Sequence, residues 1–453
     1  MRRLTKHLLD RACSVGLLAI TLTLGLSACQ RGGDAPAGPV VVRHLLWDSA
    51  QRPAYQQCAS AFERQHPDVR IRIVQQGWDD YWSTLSTGFV AGTAPDVFTN
   101  HLTKFAEQVV NGVLLDIAPL MQRDGVDAAT LYEPGLAANW ARGAEQYGLP
   151  ADWDTIALVV NLDHAMRAGV SLDELRQMHW NPADGGSYAQ VIARLTRDQA
   201  GRSALDAGFD RQHVAVWGYQ NPGLGGMFGQ SEWSHYAWGN GFRFQDAPWA
   251  VPLHYDAPAL AQTVTWLAGL PAKGWSAAPE ALGSMGADAL FAAGRVAMVP
   301  TGSWMVGHTT RSVRFAHTFV PLPVGPDGRR WSMRNGLAHS IWSGSPRREQ
   351  AWAWLRYLGS AECQAQVATH GVVYPAVRGL GEVAAQAQRA QGAEPGAFLD
   401  AARGATFAPP VVDRSAQIND LIAGAIEQAL LGRAPAAEAL AGANTRANAL
   451  LRP

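Results

Sequence analysis

Residues 40–73 read VVVRHLLWDSAQRPAYQQCASAFERQHPDVRIRI, and three apolar patterns follow one another within them. Val40-Val41-Val42 through Leu45-Leu46-Trp47 is a near-continuous apolar run, the pattern of a strand buried on both faces. Tyr55, Cys58, Ala59 and Phe62 recur at i, i+3, i+4 and i+7, which is one face of a helix. His66-Pro67-Asp68 stops that helix. Val69, Ile71 and Ile73 then alternate with Arg70 and Arg72, as in a half-exposed strand. Strand, helix and strand at this spacing form a parallel βαβ unit, so the chain opens as an α/β fold.

Upstream of this unit the chain reads as an export signal. Arg2, Arg3, Lys6 and Arg11 make a basic start, Val15 to Leu26 is apolar, and Leu26-Ser27-Ala28-Cys29 follows. The apolar run is shorter than the roughly 20 residues that cross a bilayer. The Leu-Ser-Ala-Cys ending resembles a bacterial lipobox, which implies acylation of Cys29 and a membrane anchor through lipid alone. Residues 30–39 are a Gly/Pro tether with nothing to pack a core. The expected location is therefore extracytoplasmic, on the periplasmic side or at the cell surface.

Cleavage before Cys29 would leave 425 of the 453 residues, more than one hydrophobic core usually organises, so two lobes are expected. That portion holds 33 basic and 37 acidic residues without a long basic block, which gives a nucleic-acid partner no electrostatic support. Of the four cysteines, Cys58 and Cys363 remain for the folded part. An oxidising compartment permits their pairing. The position of Cys58 on an apolar helix face favours a buried free thiol.

Further on, Ile156 to Val160 reads as a strand. Phe291 to Val299 reads as a helix end, a Gly294 stop and a strand. Ala351 to Leu358 is a helix, and Ile418, Leu421, Ile422, Ala425, Ile426 and Ala429 repeat the helical stripe. Residues 379–408, rich in Ala, Gly and Gln, carry the weakest pattern.

Six segments in register resemble the extracellular solute-binding proteins that include the maltose- and trehalose-binding receptors. They are Phe62 to Val69, Trp78-Asp79-Asp80-Tyr81, Ala91-Gly92-Thr93-Ala94-Pro95-Asp96-Val97-Phe98, Tyr147-Gly148-Leu149-Pro150 with Asn161 beyond, Phe291 to Trp304, and Ala351 to Glu362. The family's Gly-Gly after the large middle loop is matched only by Trp238-Gly239-Asn240-Gly241. The resemblance implies a type II periplasmic-binding-protein-like fold, with two discontinuous α/β lobes around a ligand cleft. Lobe I would take 40–153 and 322–370, and lobe II 154–321 and 371–453. It also implies a sugar or other polyhydroxylated ligand, hinge closure around it, and delivery to the permease subunits of an ABC importer. A monomer without cofactor or metal is expected.

A sugar offers an apolar C–H face to an aromatic ring and a rim of hydroxyls to carboxylates, amides and arginine. Seventeen tryptophans supply the first need, and many of them must simply fill cores. Trp78, Tyr81, Trp153, Trp238 and Trp304 stand out because each lies in a polar or Gly-rich segment near a strand end, where α/β sheets bind ligands. Trp304 is where the resemblance implies a stacking aromatic, and Asp154 where it implies a hydroxyl-binding acid. Asp152 and Asp154 flank Trp153, and on extended backbone they point to one side about 6.6 Å apart. Asn100, after Pro95-Asp96-Val97-Phe98, is placed at the cleft by the same strand-end rule, and Arg334-Asn335 could donate to the ligand. Asp96 reads as structural.

Paired carboxylates could in principle serve a glycosidase. No nucleophile-elbow, zinc-protease or phosphate-loop motif accompanies them, and the 13 histidines lack ligand spacing. A lipid-anchored scaffold is the other alternative, and the Trp-rich polar segments weigh against it.

Overall fold

A computed structural model describes residues 38–278 and 285–452. The lipobox and Cys29 lie outside them. The βαβ unit forms as read: β1 (Val40–Leu46), α1 (Arg52–Gln65) and β2 (Val69–Gln75), with β1 and β2 parallel and Val40 paired to Val69. Helix α2 (Trp78–Ala91) leads to β3 (Val97–His101) and α3 (Leu102–Val110). The first sheet has the order β2-β1-β3, then the strand Leu337–Ile341, then Leu149–Pro150, with the last two pairings antiparallel. A second sheet centres on Ile156–Asn161, flanked antiparallel by Met298–Gly302 and His317–Val320.

Period-two alternation distributes each central strand between two cores. Ala157 and Val159 face the core that holds Phe291, Phe319 and Phe398. Ile156, Leu158 and Val160 face the opposite core, closed by helices Pro258–Ala272, Ser415–Leu430 and Ala436–Leu450. In the first sheet, Val42 and Leu46 lie under α1 and the helix Arg348–Leu358, while Leu45 and Phe98 pack with α2 and α3. Sheets covered on both faces explain why these strands are near-continuous apolar runs.

Three segments cross between the sheets and run side by side. Residues 151–154 pair with 335–337 through Ala151 N–H to Leu337 O (2.9 Å) and Asp154 N–H to Asn335 O (3.0 Å). The strand Tyr374–Pro375 pairs with Asp152–Trp153 on the other side. A Cβ at Gly336 would collide with the carbonyl of Asp152, so glycine lets the first two crossings close up. This is a two-lobed α/β architecture of type II, with the three crossings joining its sheets.

One sequence expectation needs revising. Cys58 is not a free thiol. It forms a disulfide with Cys363, joining α1 to the helix Ala361–His370 across a Cα–Cα distance of 5.3 Å. Nothing local announces a pairing across 305 residues of sequence; only the packing of the two helices brings the thiols together. Residues 379–408, hard to read, hold the helices Leu380–Ala390 and Gly396–Arg403 and a short strand, Ala405–Phe407. Asp96 is structural as read. It is buried, accepting from Arg43 N–H at 2.9 Å and from the Ser345 hydroxyl at 2.6 Å, and so ties β1, β3 and a loop together.

Candidate ligand cleft

A cavity of about 720 Å³ opens over the crossings, between residues of both sheets. That volume falls in the range of small-molecule sites. One wall is aromatic. Trp47 follows β1, Trp78 opens α2 just after β2 and His101 ends β3, so the ends of three neighbouring strands lead into a cluster. Trp78 meets Trp47 edge-on at 5.1 Å and His101 at 5.6 Å, yet stays 46% exposed. Desolvation, with Lys104 second, lowers the His101 imidazole to about 4, so this wall carries no positive charge near neutrality. Trp304 comes from the other sheet, just after the strand Met298–Gly302. Its ring folds back over Gly302, where a Cβ would collide with it, and 38% of the residue is exposed.

The floor is acidic. Asp152 accepts from Leu337 N–H at 2.8 Å through one oxygen, and its other oxygen is buried without a partner. Burial raises its pKa to about 7, with Asp48 adding to the effect. Asp154 accepts from the Gln230 amide at 2.6 Å, and Gln230 accepts in turn from Asn335 at 3.2 Å. Desolvation and then the neighbouring Asp152 raise the Asp154 pKa well above the usual carboxylate value. Asp48 accepts from Ala50 N–H and the Gln51 amide, at 2.8 and 3.0 Å. His308 and Arg311, from the helix Val306–Ser312, stand at the exposed rim. Among the described residues, no group of three or more His, Cys, Asp or Glu is placed to hold a metal.

Of the residues singled out by sequence, Trp78, Asp154, Trp304 and Asn335 meet at this cleft, with Trp153 between the acids. Four do not. Tyr81 lies one turn below Trp78, fully buried, with its hydroxyl donating to Thr99 O. Asn100 points into the first lobe, where its amide donates to Gln108 (2.7 Å) and Ser340 (3.2 Å). Alternation explains the miss: Asn100 shares a side with buried Phe98, and the next residue, His101, reaches the cleft. Trp238 stacks on Phe407 at 4.1 Å and 6°, away from the cleft. Arg334 stands beside Glu133 at 3.5 Å and over the Trp153 ring at 5.2 Å, behind the floor rather than on it.

Sequence reasoning missed Trp47, Asp48, His101 and Gln230. The strand-end rule applied to β1 would have found the first two. Gln230 had a signal as well: it follows the Gly-Gly pair Gly225-Gly226, both at positive φ, in a loop that Asn419 pins by accepting Met227 N–H at 3.0 Å. The middle loop therefore reaches the cleft through Gln230, whereas Trp238 does not line it.

The sequence profile of the bacterial extracellular solute-binding proteins matches residues 47–365. A lipoprotein of Streptomyces antibioticus, encoded in the oleD 5' region and uncharacterized, is 26% identical over 355 residues, covering 75% of this chain and 71% of its own. The crystal structure of M. tuberculosis UspC superposes with a TM-score of 0.71 at 28% identity, over 90% of this chain and all of that one. The ABC substrate-binding protein Lmo0181 of Listeria monocytogenes, solved with cycloalternan, gives 0.76 at 19% identity, over 91% and 99%.

Proposed function

This chain belongs to the bacterial extracellular solute-binding proteins, and from that premise we propose that it is the receptor of an ABC importer for a sugar or similar polyhydroxylated solute. The observation that carries the reading is the cleft itself: exposed tryptophans from two different sheets face a floor of hydrogen-bond acceptors. Rings suit the C–H faces of a sugar, and acceptors suit its hydroxyls. The Listeria protein with cycloalternan supports the same ligand class. Trp78, Asp154, Trp304 and Asn335 are the proposed contacts, joined by Trp47, Asp48, His101 and Gln230. Lobe I is taken as 40–153 and 322–370, and lobe II as 154–321 and 371–453, closing about the crossings and presenting the closed form to a permease. The protein binds without turning its ligand over.

A thermal-shift screen of mono-, di- and oligosaccharides tests this. A ligand at 100 times its dissociation constant stabilises by about 2.7 kcal/mol, which a melt detects. Incubation of any hit, followed by chromatography, should return it unchanged. A panel with no shift, or a degraded hit, defeats the reading.

Anchoring through acylated Cys29 completes the proposal. The Streptomyces relative bears the name lipoprotein, and among the described residues no helix is long and apolar enough to cross a membrane. Cys29→Ser should move the protein out of the membrane fraction and leave its precursor unprocessed. A wild type that fractionates as free protein with an intact precursor would refute the anchor.

A further inference from the structure

Between Asp154 and Ser303 a single side chain, that of Gln230, lines the cavity. Its place is set from behind. Gly226 and Gly229 take φ of 52° and 56°. A Cβ at Gly226 would collide with the Asn419 side-chain oxygen, and one at Gly229 with the Trp233 ring. Asn419, in the helix Ser415–Leu430, accepts from Met227 N–H at 3.0 Å, and Trp233 is buried in the core closed by that helix. The loop is clamped between a helix and a core tryptophan, so Gln230 is delivered to one spot.

At that spot Gln230 commits both ends of its amide to the crossings. Its Nε2–H donates to Asp154 at 2.6 Å, and its Oε1 accepts from the Asn335 amide at 3.2 Å. The Asp154 backbone N–H donates to Asn335 O at 3.0 Å, so the two crossings and the loop side chain close a ring of hydrogen bonds. A carboxamide carries its donors and its acceptor on opposite arms. With the nitrogen of Asn335 turned to Gln230, its oxygen turns the other way. That oxygen is buried and unpaired, in a residue only 3% exposed. Buried acceptors are almost always paired, so a partner for it has to come from outside the chain. A half-turn of the amide would present the nitrogen instead and differs little in shape, so packing alone does not choose between the two.

Resting on the carbohydrate reading above, we propose that Gln230 is a positioning residue. It fixes the Asn335 amide with its oxygen free for a ligand hydroxyl and holds Asp154 beside it. Its effect on affinity then runs through these two side chains rather than through a ligand contact of its own. The gain is preorganisation: the acceptor is oriented before the ligand arrives, and that ordering is not charged to binding. Asn419 belongs to the same device at one remove, since it holds the loop and does not line the cavity.

The test titrates D-glucose, trehalose, maltose, maltotriose and cellobiose calorimetrically into the full chain and its variants, with melts of the free proteins alongside. For the tightest binder, Gln230→Met keeps the length and removes the amide, and should weaken binding about tenfold, within the span of coupled neighbours. In an Asn335→Ala background the same change should cost about twofold or less, because the group it orients is gone. Asn419→Ala should weaken binding in the wild type and not in the Gln230→Met protein. Equal costs of Gln230→Met in both backgrounds would make Gln230 a ligand contact acting alone, and an unchanged affinity would leave it no role in binding; either overturns the proposal. The free protein supplies a second measurement. A crystal structure of Gln230→Met should show the Asn335 side chain turned from its place, and Asn335 and Asp154 left as they were would overturn the proposal as well. If none of the five sugars binds, the carbohydrate reading falls, and the crystal structure still decides whether Gln230 orients Asn335.

Discussion

Trp238 and Trp304 lie in segments that look alike, each beside glycine and polar residues. Trp238 has both ring faces taken: Phe407 stacks on one, and the Arg243 guanidinium lies 4.5 Å from the ring centroid. Trp304 rests on Gly302 and offers its remaining surface to the cleft. An amphipathic ring will pack against whatever it meets. What separates the two rings is whether the chain supplies its own partner for both faces, and only Trp304 is left a face toward the cleft.

The contrast predicts a double dissociation, and the stability arm is the larger. Trp238→Ala should cost about 3–4 kcal/mol of folding free energy, the range for large aromatic truncations, and leave ligand affinity unchanged. A normal melting curve with lost affinity would return Trp238 to the binding surface and erase the difference between the two regions.

Trp304→Ala should do the reverse. Losing a stacked ring should weaken binding of a hit from the sugar screen by about 2–3 kcal/mol, roughly 30- to 150-fold, with the melt of the free protein little changed. A collapsed melt would mean that Trp304, like Trp238, is packing.

The floor sharpens the contrast on a smaller scale. Asp154→Asn keeps shape and replaces a carboxyl with an amide, so affinity should fall by about 1.5 kcal/mol, near tenfold. Stability should not suffer, because burial already disfavours the ionised carboxyl. Unchanged affinity by titration would put the ligand beyond this residue.

The fold was legible where one pattern served one element. The 40–73 stretch gave the βαβ unit because its periods switch cleanly, and Ile156–Asn161 read as a strand because both its faces are buried. The helix stripe from Ile418 to Ala429 lies inside Ser415–Leu430. The cleft was legible in part. Trp78, Asp154, Trp304 and Asn335 follow strands or crossings, and the strand-end rule finds such places. It fails at single-residue resolution, as Asn100 and His101 show, since neighbouring side chains leave a strand on opposite sides. Tyr81 failed for the helical counterpart: three residues after Trp78 it sits one turn deeper, inside the core. Trp238 and the Cys58–Cys363 bond depend on Phe407 and on a helix 305 residues away, and no local window contains either partner.

The smallest predicted effect bears on whether Trp238 is held by design of the surrounding loop. The Arg243 guanidinium lies between two indoles, 4.5 Å from the Trp238 centroid and 5.3 Å from that of Trp331. It also donates to the Trp238 and Phe242 carbonyls, at 3.0 and 2.6 Å. Desolvation lowers its pKa somewhat, but a guanidinium stays charged, so the attraction to both rings persists at neutral pH. Arg243→Met keeps a long apolar side chain and removes the cation and its donors. Exposed cation–π contacts contribute about 0.5–1 kcal/mol, so the loss should be about 1 kcal/mol in denaturant unfolding, with affinity for the ligand intact. In a Trp238→Ala background the same change should cost less, because one of its two rings is gone. Equal costs in both backgrounds would mean that Arg243 acts through its backbone hydrogen bonds alone, and that Phe407 by itself holds the Trp238 ring.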